Sequence, residues 1–265
     1  FGNLGMPELG IGGAAIASVI AEFASTLFFL FYLMKKVDLN KYGFIKIRFQ
    51  FSVIKKTLSI SIFMMIQYLF SVSTWMLFFL FIENYMGERS LAVTNVVRSL
   101  YTVVTIPSHA IGSATSTLVS NTIGAGRQSE VLLLIKRLSL MSLGVMLIMM
   151  LIIGALPRLV VHIYTDDPLL INEIIPPLYV MLSSLPLYSV GTVLFSSISG
   201  TGNTKSALKI EIISLIFYVT YMWFIIVYLR SSVALAWTTE HVYWLLLTII
   251  PFLYLRKGKW REKKI

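Results

Sequence analysis

The stretch LSLMSLGVMLIMMLIIGALPRLVV, residues 138–161, decides the fold. Its only charged residue is Arg158, which lies near its end. A helix needs about 20 consecutive apolar residues to cross the hydrocarbon of a bilayer, and this run is long enough. A single helix satisfies its own backbone hydrogen bonds in lipid, whereas a single strand does not. The stretch therefore predicts a transmembrane helix.

The composition of the whole chain agrees with a protein embedded in lipid. Apolar residues make up 57% of the 265 residues and charged residues only 13%, against about 25% charged residues in soluble domains. The mean hydropathy is +0.82. These values exclude an ordinary soluble globular enzyme. The absence of cysteine also excludes disulfides, thiolate metal sites and cysteine nucleophiles.

Similar apolar runs recur along the chain and predict an all-α, polytopic membrane helix bundle. The seven predicted transmembrane helices are residues 11–34, 58–82, 91–119, 138–161, 174–198, 210–229 and 233–255. Because the connection between the first two is the longest and most basic, we interpret residues 35–57 as a cytoplasmic linker. Residues 1–34 then hold the last helix of an N-terminal bundle, and residues 58–265 form a C-terminal six-helix bundle with a cytoplasmic tail.

Basic residues concentrate on one side of the predicted bundle. They follow the first, third, fifth and seventh spans, and they include Lys41 and Lys263. The positive-inside rule places this side, and with it the C-terminus, in the cytoplasm. The net charge of +10 therefore indicates contact with anionic membrane lipids rather than with nucleic acid.

Polar residues inside the apolar spans are the candidates for function. Glu22 lies near the middle of the first span, where a lone charge costs about 2.5–3.5 kcal/mol. Gln67 lies among aromatic and methionine side chains of the second span, and the polar third span carries Asn95, Arg98 and Tyr101. We predict that Gln67, Asn95 and Tyr101 line a substrate cavity, and that Glu22 and Arg98 act in coupling or gating. Ordinary helix packing, or snorkelling in the case of Arg98, is the alternative for each.

Other polar residues carry weaker signals. His109, His162 and His241 are too scattered to predict a metal site. Glu240 lies near the outer end of the last span, and we favour a structural role for it over proton shuttling. The glycine-rich turns at residues 124–126 and 200–203 follow membrane spans and not strands, so they do not indicate a dinucleotide site.

Five segments of the sequence, in their order along the chain, resemble the multidrug and toxic compound extrusion family. They are FGNLGMPELGIGGAAIASVIAE (residues 1–22), LAVTNVVRSL (91–100), VSNTIGAGRQSEV (119–131), SISGTGNTKSALKIE (197–211) and YWLLLTIIPFLYLRKGKW (243–260). They are similar to the sixth helix of that family, its eighth helix and following turn, the end of its tenth helix, and its twelfth helix and tail. The resemblance covers nearly the whole chain as helices six to twelve.

The resemblance implies part of a twelve-helix carrier in the cell inner membrane, with two pseudo-symmetric bundles that alternate access around a central cavity. It further implies an antiporter that exports organic cations or drugs, driven by inward Na⁺ or H⁺ and needing no other cofactor. One branch of the family binds its coupling cation with a seventh-helix glutamate and a tenth-helix aspartate. Here Gln67 stands in place of the first, and residues 178–199 contain no acid. Coupling then depends on carboxylates of the first bundle or on Glu22.

Two other functions remain as alternatives. A lipid-linked saccharide flippase of the same superfamily shares the architecture, but it should line its cavity with several cationic residues to bind a pyrophosphate. Arg98 is the one such residue within the polar span. A seven-helix receptor fits the number of spans but not the family-like order of turns. An enzyme is not expected, because no nucleophile and base lie at one depth.

Overall fold

The computed structural model describes residues 9–38, 49–258 and 260, and every element in these ranges is helical. This confirms the all-α fold class. The long helices are α1 (Gly10–Lys36), α2 (Phe51–Met86), α3 (Glu88–Gly124), α4 (Val131–Ala155), α6 (Pro168–Gly200), α7 (Thr204–Trp223) and α9 (Thr239–Arg256). The shorter elements are α5 (Pro157–His162), α8 (Val233–Ala236), a 3₁₀ turn (Gln128–Glu130) and a π-helical turn (Phe224–Tyr228).

Six helical segments within the described residues are long and apolar enough to cross a membrane. They correspond to six of the seven predicted spans. The third predicted span is helix α3, which has 37 residues, but its many hydroxyl and amide side chains keep it out of this group. A polar helix is tolerated in a bilayer when its polar side chains face protein or water. Membrane crossing by α3 therefore stays a prediction.

The predicted end of the fourth span is wrong. The apolar run was expected to continue as one helix to residue 161, but α4 ends at Ala155 and α5 begins at Pro157. Proline has no backbone N–H to donate, and its ring disfavours the helical conformation of the preceding residue. Leu156 accordingly has φ −128° and ψ 48°, outside the helical region.

The chain divides into two compact units, residues 1–55 and 56–265. In the first unit, α1 exposes large apolar side chains such as Phe23 and Phe28. The second unit contains the buried core. Residues 39–48 of the predicted basic linker, with Lys41, lie outside the described residues, as does Lys263 in the tail. The predicted boundaries at residues 34 and 57 stay predictions.

Helix α6 lies at the centre of the second unit, where it packs against α3, α4 and α9. Its buried hydroxyls donate to carbonyls of their own helix, as Ser184 does to Met181 O and Ser197 to Val193 O, each at 2.7 Å. Between α3 and α4, the hydroxyls of Ser108 and Ser142 form a buried hydrogen bond of 2.7 Å. These bonds satisfy polar groups that lipid cannot satisfy.

Glycines let α6 approach its neighbours closely. A methyl group on Gly200 would lie 2.6 Å from the backbone oxygen of Ser116 on α3, and one on Gly191 would lie 3.3 Å from the backbone oxygen of Trp244 on α9. Small residues at such contacts allow the van der Waals packing that holds helices together in lipid. The positions of α3 and α9 around α6 thus depend on glycine, which has no side chain, at residues 191 and 200.

We expect Gly200→Ala to destabilise the protein by about 1–3 kcal/mol, because the added methyl group has no room against the backbone of α3. Gly144→Ala is the matched control, since a methyl group at Gly144 in α4 would meet nothing within 4 Å. The measurement is the midpoint of thermal unfolding of each purified variant in detergent. Equal midpoints for the two variants would contradict the close approach.

Candidate functional site

A cavity of about 1020 Å³ lies in the second unit and is lined by residues of α2, α3, α6, α7 and α9. Ligand pockets for small molecules commonly measure about 300–1,000 Å³, so this one has room for a bulky molecule. Its lining is mainly apolar and aromatic, with polar side chains at a few points. We call this space the cavity below.

Each lining helix presents one face to the cavity. On α2 the lining residues include Gln67, Ser71 and Trp75, spaced four apart. On α9 they include Glu240 and Trp244, with Tyr243 and Leu247 each three residues beyond one of these. Residues three or four apart lie on the same side of a helix. The polar groups of the two helices therefore point into a shared space.

The carboxyl of Glu240 joins three of these helices. Its side chain is 3% exposed. Oε1 accepts a hydrogen bond from Trp75 Nε1 on α2 at 3.3 Å. Oε2 accepts one from Tyr101 OH on α3 at 2.9 Å and one from Trp244 Nε1 on α9 at 3.0 Å. Three donors around one carboxyl suit an ionised carboxylate, which only accepts hydrogen bonds.

A second carboxyl, that of Glu211 on α7, also lines the cavity. It is 1% exposed, and its Oε1 accepts a hydrogen bond of 2.7 Å from Tyr243 OH. The Ser71 hydroxyl is close to it, but among the described residues Oε2 has no hydrogen-bond partner. The ion pairs of the described residues lie elsewhere, so neither carboxyl is neutralised by a basic side chain there.

Aromatic rings cluster around the carboxyl of Glu240. The ring centroids of Tyr188 and Trp244 are 4.4 Å apart, those of Tyr101 and Tyr188 are 5.7 Å apart, and those of Trp75 and Tyr101 are 6.1 Å apart. Aromatic faces attract cations within about 6 Å of the ring. Rings and carboxyls in one cavity thus favour a ligand with positive charge and apolar bulk.

Four buried polar atoms of the cavity lining lack a hydrogen-bond partner among the described residues. They are Gln67 Oε1, Thr192 Oγ1, Glu211 Oε2 and Tyr218 OH. Leaving such a group unpaired in a folded protein costs about 1–3 kcal/mol. Three of these side chains nonetheless lie close to another hydroxyl, Thr192 to Tyr188, Glu211 to Ser71 and Tyr218 to Thr239.

The predicted site residues fall into two groups. Gln67, Arg98 and Tyr101 line the cavity, and the Arg98 guanidinium lies 4.8 Å from the centre of the Phe79 ring. Asn95 is outside the cavity lining, and its backbone oxygen accepts a hydrogen bond from Ser99. Glu22 belongs to the first unit, where its side chain is exposed and its backbone oxygen accepts from Thr26. The roles predicted for these five residues stay predictions.

Sequence reasoning did not find Glu211. The predicted span began at residue 210, which placed this acid at a membrane boundary where charge is inexpensive. In the structure α7 begins at Thr204, and Glu211 lies about two turns inside the helix. The asparagine and threonine before the span are the signal that could have moved its start, because both are common at helix N-termini.

These observations define the chain as a multi-pass α-helical membrane protein with a large cavity in its second unit. The MatE family profile matches residues 60–224, which is more than half of the chain. The chain therefore belongs to the MatE family, whose characterised members are transporters and not enzymes.

A curated relative and solved structures agree with this family. The chain is 26% identical over 277 residues to the "Probable multidrug resistance protein NorM" of Thermotoga maritima, and the match covers 100% of the chain and 57% of that protein. An outward-facing multidrug resistance transporter of the MATE family superposes with a TM-score of 0.80 at 16% identity, covering 97% of this chain and 59% of that one. A MOP superfamily transporter from Pyrococcus furiosus gives 0.80 at 16% identity, over 96% and 58%. At these identities the structures show the shared fold.

We expect Glu240→Gln to lower the stability of the protein by about 2–3 kcal/mol. The two tryptophans donate to different oxygens of Glu240, and an indole N–H can only donate. A glutamine amide therefore turns its NH₂ group toward one of them in either orientation, although Trp244 Nε1 also donates to Tyr101 OH at 2.9 Å. Thermal unfolding in detergent measures the loss, with Glu83→Gln as control because Glu83 is exposed near the end of α2. A Glu240→Gln midpoint as high as that of the control would contradict the network.

Proposed function

We propose that this chain is the C-terminal part of a cation-coupled antiporter that exports organic cations or drugs across the cell membrane. The chain spans about 57% of the length of the curated relative it matches, so the activity belongs to a longer protein in this proposal. Residues 1–34 supply the last helix of the first bundle, residues 35–57 the linker, and residues 58–265 the second bundle. The two bundles alternate access around a central cavity, in the inner membrane, with the C-terminus in the cytoplasm.

The cavity is the observation that carries this proposal. It combines two buried carboxyls, Glu211 and Glu240, with a wall of aromatic rings. The basic groups in its lining are Arg98 and His109, as far as the structure describes the chain. A bulky organic cation gains from both features, because the carboxylates offset its charge and the rings bind its charged and apolar parts.

The same lining gives less support to a lipid-linked saccharide flippase. A pyrophosphate needs several cationic donors, preferably arginine, at one point. Among the described lining residues Arg98 is the one arginine, and it lies over the Phe79 ring. Membership of the MatE family likewise favours transport over a seven-helix receptor.

Within this proposal, each predicted residue keeps a role that fits its place. Gln67 and Tyr101 contact substrate in the cavity, and Arg98 acts in gating at its rim. Asn95 contributes to substrate binding only if α3 turns during the transport cycle, since it lies outside the lining. Glu22, in the first bundle, takes part in coupling transport to the movement of Na⁺ or H⁺. No resident cofactor is needed.

We expect a lysine placed in the cavity to repel the substrate. Ser113 on α3 lines the cavity with an exposed side chain, so Ser113→Lys adds a positive charge without removing a buried contact. Ethidium binding should weaken about tenfold, which corresponds to about 1.4 kcal/mol. Ser113→Gln is the matched neutral control and should bind ethidium nearly as well as the unchanged protein.

Binding is measured by ethidium fluorescence with the purified intact protein, and export by ethidium accumulation in cells that express each variant. Cells with Ser113→Lys should accumulate more ethidium than cells with Ser113→Gln. If the two variants export ethidium equally, the cavity does not carry organic cations. If the unchanged protein neither binds nor exports ethidium or other organic cations, the proposed function is wrong.

A further inference from the structure

The two cavity carboxyls differ in how many of their oxygens are free. Both oxygens of Glu240 accept hydrogen bonds, from Trp75, Tyr101 and Trp244. Glu211 lines the cavity and accepts through Oε1 from Tyr243, while its buried Oε2 makes no hydrogen bond in the described part of the chain, although the Ser71 hydroxyl lies close to the carboxyl. One carboxyl therefore has hydrogen bonds on both oxygens, and the other has one oxygen without a hydrogen bond.

We propose that Glu211 binds and releases one proton as a cationic substrate leaves and enters the cavity. The inference rests on the proposed function, and it assigns to this half of the carrier a coupling site that the sequence did not indicate. The proton resides on Oε2 in the substrate-free cavity. It leaves when the substrate arrives, so that the carboxylate meets the incoming positive charge.

The transfer balances in charge and atoms. The O–H bond of the neutral acid breaks, its electron pair stays on Oε2, and the proton passes to solvent in the open cavity. Glu211 changes from neutral to one negative charge as one positive charge binds, so the loaded and empty cavities carry the same net charge. Burying an uncompensated charge is costly in a medium of low dielectric constant, and this exchange avoids it.

Glu240 does not fit the same role. Both oxygens of Glu240 already accept hydrogen bonds, and two of the three donors are indole N–H groups that cannot accept one in return. A change of protonation at Glu240 would therefore disturb the bonds that join α2, α3 and α9, whereas at Glu211 it involves fewer partners.

The surroundings of Glu211 supply one carboxyl and several hydroxyls, without a cluster of acidic, histidine or cysteine side chains among the described residues. Hydroxyls dominate there, with Ser71 on α2, Tyr218 on α7 and Tyr243 on α9. The other ionisable groups that line the same cavity are Tyr68 on α2, Arg98, Tyr101 and His109 on α3, Tyr188 on α6 and Glu240 on α9. Among the described residues no three acidic, histidine or cysteine side chains form a group that could hold a metal ion. A proton needs one carboxyl oxygen, whereas a hard metal cation needs several oxygen ligands.

The test counts protons released when tetraphenylphosphonium binds to the purified intact protein in weakly buffered detergent solution with a pH-indicator dye. The unchanged protein should release up to one proton for each cation bound. Its affinity for tetraphenylphosphonium should rise with pH by up to tenfold per pH unit, because protons and substrate compete. Glu211→Gln should bind tetraphenylphosphonium with no proton release and with an affinity that does not depend on pH.

Two further variants separate this role from a structural one. Glu211→Asp retains a carboxyl and should restore proton release even if it binds tetraphenylphosphonium more weakly. Glu83→Gln, at an exposed position, should release protons as the unchanged protein does. Proton release that persists in Glu211→Gln, or that is absent from Glu211→Asp while tetraphenylphosphonium still binds, would overturn the assignment. Displacement of ²²Na⁺ instead of protons, lost in Glu211→Gln, would also overturn it, in favour of a sodium site.

An infrared measurement distinguishes failure of this inference from failure of the proposed function. Without any substrate, a pH titration of the unchanged protein should show the C=O band of a protonated carboxyl, and this band should be missing from Glu211→Gln. If no organic cation binds but the band behaves in this way, the proton site stands and the drug-efflux function does not. If the band is the same in both proteins, Glu211 is not the proton site, whatever the protein transports.

Discussion

A polar group at hydrocarbon depth must find its partner within the protein, because lipid offers none. Much of this structure follows from that constraint. The hydroxyls of Ser184 and Ser197 donate to carbonyls of their own helix, and those of Ser108 and Ser142 pair between two helices. The constraint is relaxed in the cavity, where solvent or substrate can take the place of a protein partner. Unpaired polar atoms in the described residues are accordingly frequent around that space.

The cavity depends on close packing elsewhere. Helices in lipid gain no hydrophobic free energy by associating, so they rely on contact area and on small residues that permit it. Gly191 and Gly200 bring α6 against α9 and α3 at backbone distance. This contact also sets Tyr188 of α6 and Trp244 of α9 with their ring centres 4.4 Å apart. Gly191 and Tyr188 are three residues apart on the same side of α6, so the close approach at Gly191 helps to fix this aromatic pair.

Hydropathy predicted the helical class and most of the spans, because run length and charge are local properties of the chain. It could not predict which residues of different helices face the same space. Tyr101 and Asn95 are six residues apart, which is a rotation of about 240° to the opposite side of α3, and only Tyr101 lines the cavity. The break at Pro157 shows the converse case. There the apolar run continues past the proline, but the backbone restriction that proline imposes ends helix α4.

The two carboxyls show why burial alone does not define a function. Glu211 and Glu240 are both almost fully buried and both line the cavity. The two acids cannot be told apart by their sequence positions, since each lies near the end of an apolar run. Their partners differ, with three donors on Glu240 and, on Glu211, one phenol with the Ser71 hydroxyl close by. In the proposed exchange, the carboxyl with fewer donors is the one whose charge changes, because fewer hydrogen bonds must rearrange. The number of donors that the fold brings to each acid is therefore the difference on which the proposal rests.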